Sequence, residues 1–235
     1  MGARGAGRVT ETTPGRALEL IVTPDAIAAA AQLVADALER ITDSQGRVRL
    51  AIPGGSAAAS AVQAAELLCA RGFDFGRLCL TWVDERCVPA SAPDSNRGAV
   101  HFEPAPGVEL PLYLDGERPA AAVGRVENEL TTTFDGALDV VLLGMGGDGH
   151  IASLFAGHPP RTGLAAHVDA SPKPPADRIT LTRAMLATAQ HTYLVAVGEE
   201  KRAALTRLMA GDASLPATGL PGLVVCTDLE LAGPR

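Results

Sequence analysis

The chain has 235 residues, of which 47% are hydrophobic and 20% charged, and these proportions are typical of a soluble globular protein with one or two domains. Its formal net charge of −7 argues against a nucleic-acid surface, which needs a basic face, but a local cluster of arginine and lysine is still compatible with an anionic ligand. The sequence shows neither an 18-residue apolar run nor an apolar leader, so we expect no membrane span and a cytoplasmic location.

Two kinds of segment alternate along the chain after a basic, glycine-rich start. We predict that residues 1–16 are disordered and that one domain spans residues 17–235. Short apolar runs suit buried parallel strands and lie at residues 17–22, 48–52, 78–83, 138–143, 192–197 and 223–227. Longer alanine-rich segments suit helices and lie at residues 24–40, 56–71, 119–134 and 199–209.

This alternation predicts an α/β fold in three layers, with a mainly parallel, Rossmann-like sheet and helices on both faces. The first helix is expected to have Thr23 as its N-cap and Pro24 at its first position. Residues 104–119 and 157–177 are rich in proline and lack a period, so we expect two long surface loops. The four cysteines have no CxxC spacing, which favours small buried residues over a zinc site or a redox pair.

The first candidate ligand-binding turn follows the run 48–52. In an open parallel sheet, ligands bind beyond the carboxyl ends of the strands. Gly54, Gly55 and Ser56 begin a helix there, and exposed N–H groups at a helix start favour a phosphate. The spacing matches neither GxGxxG nor GxxxxGK[ST], so it predicts no dinucleotide fold or P-loop. Alternatively, these glycines serve only the dihedral angles of a tight turn.

Basic side chains follow two other strands. Arg86 and Arg97 lie after the run 78–83, and a guanidinium group suits a phosphate or a carboxylate; the alternative is a surface ion pair with a neighbour such as Asp84. Lys201 lies in the first turn of the last helix, where a cation opposes the helix dipole unless an anion is bound. The alternative for Lys201 is a solvated side chain beside two glutamates.

The segment GMGGDGH at 144–150 places Asp148 and His150 on a glycine-rich turn at a strand end. His150 is a candidate general base near neutral pH, and Asp148 could orient either His150 or a water molecule. A metal site is the rival interpretation, but no further His or Cys lies nearby at metal-ligand spacing. A serine nucleophile is not indicated, because the chain has no GxSxG motif.

Six motifs occur in a fixed order: GGS at 54–56, WVDER at 82–86, SNRG at 95–98, GMGGDGHIASLF at 144–155, RITLT at 178–182 and GEEK at 198–201. Together they resemble the glucosamine-6-phosphate isomerase/6-phosphogluconolactonase family over about residues 17–230. The resemblance implies hydrolysis of 6-phospho-D-glucono-1,5-lactone to 6-phosphogluconate in the oxidative pentose phosphate pathway. It also implies that no metal or organic cofactor is needed.

The resemblance further implies roles for individual residues. His150 would be the base, with Asp148 beside it. The resemblance associates Arg86 and Lys201 with the substrate and its phosphate. Together with the turns at the strand ends, it leads us to predict a substrate- or phosphate-binding set of Gly54, Gly55, Ser56, Asp84, Arg86, Asn96, Arg97, Gly146, Gly147 and Lys201. Our own expectation is that either the N–H groups of the Gly146–Gly147 turn or Arg86 stabilise the oxyanion. The expected partner is a small sugar-phosphate lactone rather than a nucleic acid or a membrane, and the sequence does not indicate the oligomeric state.

Two alternative functions are compatible with the same motifs. The deaminases of this family carry a glutamate five residues after the histidine, where this chain has Phe155, and DEY where it has DER; both differences point to the lactonase. Ile151 is the deaminase form, but a side chain there is expected to pack inward. Ala57 departs from the usual GGSTP pattern, with a modest expected effect on phosphate affinity. A non-catalytic sugar-phosphate-binding protein would keep the GGS turn at 54–56 and Lys201 but would not need His150.

Overall fold

The structure, a computed structural model, describes residues 7–11 and 18–231. Its strands are β1 (Gly7–Glu11), β2 (Leu18–Val22), β3 (Val48–Ile52), β4 (Leu78–Trp82), β5 (Asp84–Arg86), β6 (Val108–Leu110), β7 (Val140–Gly144), β8 (Ala165–Val168), β9 (Arg178–Leu181), β10 (His191–Ala196) and β11 (Leu223–Thr227). Its α-helices are α1 (Ala26–Gln45), α2 (Ala58–Ala70), α3 (Asn96–Ala99), α4 (Pro119–Thr132), α5 (Arg183–Leu186) and α6 (Arg202–Met209). Short 3₁₀ turns, Gly55–Ala57 and Glu199–Lys201, precede α2 and α6.

The large sheet has eight strands in the order β1-β2-β11-β10-β7-β3-β4-β6. Seven of them are parallel, and β1 at one edge runs antiparallel to β2. Central strands are apolar on both faces: β4 is buried at all five positions and β7 at four of its five. Burial on both faces is what a parallel sheet flanked by helices requires. The predicted α/β fold with a mainly parallel sheet is therefore confirmed.

The chain leaves the middle of this sheet in two directions. From β3 it passes to β4 and β6 on one side, and from β7 it passes to β10 and β11 on the other. The strands β3 and β7 are neighbours, with Leu50 opposite Val140. The strand order thus reverses between them, and ligands of open α/β sheets bind beyond the carboxyl ends of the strands at such a reversal. The turns that follow β3 and β7 lie side by side at this point.

Three short antiparallel strands form a second sheet in the order β5-β9-β8. Within it, Arg86 lies directly opposite Arg178. The sequence pattern did not predict this sheet, and the expected loops at 104–119 and 157–177 contain β6 and β8. These strands have only three or four residues, and their main chains pair with segments that are distant in sequence.

Helix α1 begins and ends later than its sequence pattern predicts. Its N-cap is Asp25 rather than Thr23, because the Asp25 carboxylate accepts a hydrogen bond from the N–H of Ala28 at 2.9 Å. Pro24 therefore lies before the cap and not inside the first turn. The helix continues to Gln45 and ends at Gly46, whose φ of 76° is the left-handed conformation of a glycine C-cap.

Most of the segment expected to be disordered, residues 1–16, lies outside the described residues. Residues 7–11 are the exception: their main chain forms β1 and pairs with β2 from Gly7 opposite Val22 to Glu11 opposite Leu18. The edge of β2 that faces away from β11 provides the hydrogen-bonding groups for this strand. Among the described helices, none is long and apolar enough to cross a membrane.

The core is largely aliphatic, and its largest fully buried side chains are those of Trp82 and Phe134. Burial of the cysteines was predicted and holds for Cys79 and Cys226. Cys87 is only half-buried, and Cys69 is exposed on α2.

Candidate active site

The turns after β10, β7, β3 and β4 lie in a row at one edge of the sheet, because these four strands are adjacent and parallel. Close backbone approaches join them. A Cβ atom on Gly144 would lie 3.0 Å from the Cβ of Ala57, and one on Gly147 would lie 2.9 Å from the carbonyl oxygen of Glu200. The four turns singled out from the sequence therefore meet in one place.

His150 and Asp148 form a hydrogen-bonded pair on the turn that follows β7. The Nδ1 atom of His150 lies 2.5 Å from Oδ1 of Asp148. A carboxylate can only accept, so Nδ1 carries the proton and Nε2 is left as a free acceptor. The turn is closed by the N–H of Gly146, which donates to the carbonyl of His150 at 2.9 Å, and by the N–H of Gly149, which donates to the carbonyl of Gly146 at 2.9 Å.

Gly146 and Gly149 are glycines for two different reasons. A Cβ atom on Gly146 would overlap the ring of His150 and lie 2.5 Å from Oδ1 of Asp148. The side chains of His150 and Asp148 therefore pack directly against the backbone of Gly146. Gly149 has a φ of 90°, which other residues rarely adopt, and its Cβ would lie 2.5 Å from Leu215. The glycine-rich composition of this turn thus serves the placement of the His–Asp pair.

The electrostatic surroundings favour a neutral imidazole beside a carboxylate. Burial lowers the pKa of His150 below its usual 6.5, and the charge of Lys173 lowers it further, against the opposing effect of Asp148. The side chain of His150 is only 16% exposed. Burial raises the pKa of Asp148, but the hydrogen bonds from His150 and the charge of Lys173 outweigh it and lower that pKa to about 2. A neutral imidazole near pH 7 is the form that can accept a proton.

Asp84 connects several parts of the site, and each of its carboxylate oxygens already accepts a hydrogen bond from the protein. Its Oδ2 accepts a hydrogen bond from the Ser153 hydroxyl at 2.6 Å, and its Oδ1 accepts one from the Asn96 amide at 3.1 Å. The guanidinium group of Arg178 lies 3.7 Å from Oδ2, and both side chains are buried. Asn96 also packs on the turn after β3, because a Cβ atom on Gly54 would overlap its amide group.

The two arginines predicted on the loop after β4 point in different directions. Arg97 donates to Glu109 on β6 at 2.8 Å, toward the edge of the sheet. Arg86 donates from Nη1 to the carbonyl of Asp94 at 2.6 Å, while its Nε atom is buried and has no hydrogen-bond partner. The Nε of Arg86 is thus a buried donor without a partner among the described residues, whereas the Nε of Arg97 is occupied.

Lys201 and the turn after β3 complete the row of predicted residues. The Lys201 side chain is 17% exposed, and its Nζ lies 3.5 Å from the carboxylate of Glu200. The backbone of Glu200 touches Gly147, so this lysine follows directly after a residue that contacts the His–Asp turn. Gly55 and Ser56 are exposed at the start of the 3₁₀ turn before α2. An anion bound there would meet the amino end of the helix.

Sequence reasoning missed the role of Glu85. Its buried carboxylate accepts hydrogen bonds from the N–H groups of Asn96 and Arg97, both at 2.7 Å, and from the Ser95 hydroxyl at 3.1 Å. Glu85 thereby fixes the SNRG loop against the DER strand. The co-occurrence of the two motifs was visible in the sequence, but the contact between them was not.

Sequence reasoning also missed Lys173 and Arg178. Lys173 lies in the proline-rich segment expected to be a surface loop, yet its Nζ is 3.6 Å from Asp148 and 3.4 Å from His150. Arg178 belongs to the RITLT motif and is buried. The only sequence signal for Lys173 is its rarity, because the whole chain contains just two lysines, Lys173 and Lys201. Among the described residues, no group of three or more His, Cys, Asp or Glu side chains is arranged to hold a metal ion.

Comparison with known proteins gives the family. The sequence matches the family model for glucosamine-6-phosphate isomerases/6-phosphogluconolactonase over residues 23–225. The chain belongs to this family. Two curated members are 6-phosphogluconolactonases: that of Rattus norvegicus is 34% identical over 206 residues, covering 81% of this chain and 80% of that protein, and that of Pseudomonas putida is 31% identical over 230 residues, covering 90% and 91%.

Solved structures of the family share the fold. A 6-phosphogluconolactonase from Shewanella baltica superimposes with a TM-score of 0.74 at 24% identity, covering 94% of this chain and 98% of that one. A monomeric glucosamine-6-phosphate deaminase superimposes with a TM-score of 0.72 at 18% identity, covering 88% and 95%. Because proteins named for two different activities have this fold, the fold alone does not distinguish them.

Proposed function

We propose that this chain is a 6-phosphogluconolactonase, which hydrolyses 6-phospho-D-glucono-1,5-lactone to 6-phosphogluconate in the oxidative pentose phosphate pathway. The observation that carries the proposal is the His150–Asp148 pair, joined at 2.5 Å on a turn at the reversal of strand order. The names of the curated relatives support the same activity. The proposal includes a cytoplasmic location for the enzyme.

The proposed reaction uses His150 as the general base and needs no metal. Its Nε2 takes a proton from a water molecule while the water oxygen attacks the lactone carbonyl carbon, giving a tetrahedral oxyanion. When the intermediate collapses, the bond from this carbon to the ring oxygen breaks, and His150 returns the proton to that oxygen. Asp148 holds the proton-bearing Nδ1 and stabilises the transient imidazolium. The contact at 2.5 Å favours this role over the orientation of water.

We assign oxyanion stabilisation to the N–H of Gly147 together with Arg86. The N–H of Gly146 already donates to the carbonyl of His150, which removes it from the candidates. Gly147 is exposed at the turn, and Arg86 is a half-buried residue of β5. Donors that are fixed before the reaction stabilise a developing negative charge more than mobile ones do.

We assign the substrate phosphate to the Gly54–Gly55–Ser56 turn and to Lys201. A phosphate there would meet the amino end of α2 and one ammonium group. Three residues that were predicted from the sequence to bind the substrate are left out of this assignment. Asp84 and Asn96 are hydrogen-bonded to each other, and Arg97 is paired with Glu109.

The alternative within the family is a deaminase, and two positions argue against it. Ile151, which matches the deaminase pattern, is fully buried, so it packs inward as expected and offers nothing to a substrate. Phe155 lies against the ring of His150, where the deaminases carry a glutamate. The described site therefore lacks the extra acid–base group at that position.

The test supplies fresh lactone and follows 6-phosphogluconate through its dehydrogenase, with the spontaneous rate subtracted. We expect turnover by the wild type, and a loss of about 10²- to 10⁴-fold in kcat for His150→Gln with an unchanged melting temperature. Near-wild-type kcat in that variant would remove His150 from the base role. Ammonia release from glucosamine 6-phosphate without lactone turnover would instead favour the deaminase. Binding of 6-phosphogluconate without turnover of either compound would favour a non-catalytic sugar-phosphate-binding protein.

A further inference from the structure

The His–Asp pair has a third charged neighbour, Lys173, which comes from the segment between β8 and β9. Its Nζ lies 3.6 Å from Oδ2 of Asp148 and 3.4 Å from Nδ1 of His150. The other carboxylate oxygen of Asp148, Oδ1, already accepts the hydrogen bond from His150. The two oxygens of one carboxylate thus face an imidazole and an ammonium group.

The main chain around Lys173 is fixed by a buried guanidinium group. Arg178 donates to the carbonyl oxygens of Lys173 at 2.9 Å, Pro174 at 3.2 Å and Pro175 at 3.1 Å. On its other side it faces Asp84 at 3.7 Å. A buried charge is costly unless it is paired and hydrogen-bonded, and Arg178 meets that condition by ordering this segment. Its contacts therefore point to a role in placing Lys173 rather than in binding substrate.

The composition of the chain adds an independent observation. Its basic residues other than Lys173 and Lys201 are all arginines, and both lysines lie at the candidate site. An ammonium group is a compact point charge, whereas a guanidinium is a wide, planar fork. The compact charge suits a place beside one oxygen of a carboxylate.

We propose that Lys173 is a positioning residue of the acid–base pair, which neutralises the far oxygen of Asp148 and so keeps His150 in its neutral, proton-accepting form. The inference rests on the function proposed above, in which His150 must be a free base. The charged groups that face the ring are Asp148 from its own turn, Lys173 from the segment before β9 and Asp84 from β5. Both carboxylates favour the imidazolium, and Lys173 opposes them.

The sign of the effect follows from this arrangement. The charge of Lys173 lowers the pKa of His150, so its removal raises that pKa and reduces the neutral fraction of His150 at a given pH below neutrality. The acid limb of the pH profile of kcat/KM then moves to higher pH. A purely structural role for Lys173 would change the melting temperature but not the titration of His150.

The decisive experiment is an NMR titration of histidine, which needs no turnover. Protein with ¹³C-labelled histidine contains five signals, and the one lost in His150→Gln identifies His150. We expect an upward shift of its pKa in Lys173→Met and a value near wild type in Lys173→Arg. Lys201→Met is the matched control for loss of a lysine and is also expected to titrate like the wild type. An unchanged His150 titration in Lys173→Met would overturn the proposal.

A kinetic arm separates this inference from the proposed function. If the protein turns over the lactone, Lys173→Met should move the acid limb of kcat/KM upward with little change in KM. A raised KM with an unchanged titration would make Lys173 a substrate ligand and would also overturn the proposal. If the titration shifts as expected but no lactone is hydrolysed, the proposed function fails while the electrostatic coupling of Lys173 to His150 stands.

Discussion

The ring of Phe155 packs against the imidazole of His150, with centroids 4.9 Å apart and planes inclined by 33°. From the sequence, Phe155 was informative only because it replaces the glutamate of the family's deaminases. In the structure it has a role of its own, since its largely buried ring covers one face of His150 and contributes to the desolvation that lowers the pKa of that histidine.

Phe155→Ala should therefore move the acid limb of the lactonase reaction to higher pH. In the wild type, burial lowers the pKa of His150, so the rate is expected to reach half its plateau below pH 6.5. Water admitted by the smaller side chain would raise the pKa toward its ordinary value. The measurement is kcat/KM between pH 5 and 8, with Phe155→Leu as a control that keeps most of the cover. A limb that stays in place or moves to lower pH would show that Phe155 does not tune the base.

Lys201→Met should raise KM for the phosphorylated lactone about 10- to 100-fold, because a hydrogen bond to a charged group contributes about 1.5–3 kcal/mol. The change in kcat should be smaller, since this lysine is proposed to hold the phosphate and not the reacting carbonyl. Unphosphorylated gluconolactone is the control substrate, and its kcat/KM should be the same for both proteins. An equal loss on both lactones would assign Lys201 to the reaction centre instead.

Gly146→Ala should lower kcat by about 100-fold, because a Cβ atom there would displace the His–Asp pair, and a misplacement of about 1 Å has a cost of that order. The control is Gly124→Ala on α4, where an added Cβ meets nothing within 4 Å. This control should keep its activity and gain about 0.5–1 kcal/mol in unfolding free energy. Full activity in Gly146→Ala would mean that the turn can relax around the pair.

Asp84→Asn should lower the free energy of unfolding by about 3–5 kcal/mol, because it leaves the buried guanidinium of Arg178 without its carboxylate partner. Urea denaturation measures the loss. Asp135→Asn is the matched control, since the Asp135 side chain is 73% exposed in its ion pair with Arg49, and surface pairs contribute about 0–1 kcal/mol. Equal losses in the two variants would contradict a special role for the buried network.

The central strands and long helices could be predicted from the sequence because their signals are local. Buried parallel strands are continuous apolar runs, and the predicted bounds of β3 and β11 match the structure. The second sheet could not be predicted in this way. Its short strands exist because β9 pairs with two segments elsewhere in the chain, and neither propensity nor periodicity reports such pairings.

The candidate site shows the same division between local and distant information. The motifs placed His150 and Asp148 correctly at one turn, and the family that they suggested is confirmed. They did not show which polar side chains serve the framework, as with Asp84 and Glu85, or that a proline-rich segment carries Lys173 to the acid–base pair. Those assignments depend on contacts between residues 12 to 69 positions apart in the sequence.

The confinement of both lysines to the candidate site has a practical consequence for chemical modification. The side chains that can react with amine-coupling reagents are those of Lys173 and Lys201, beside the terminal amine. Random amine labelling or immobilisation will therefore modify residues of the candidate site. Thiol chemistry at Cys69, which is exposed on α2, offers an attachment point that leaves both lysines untouched.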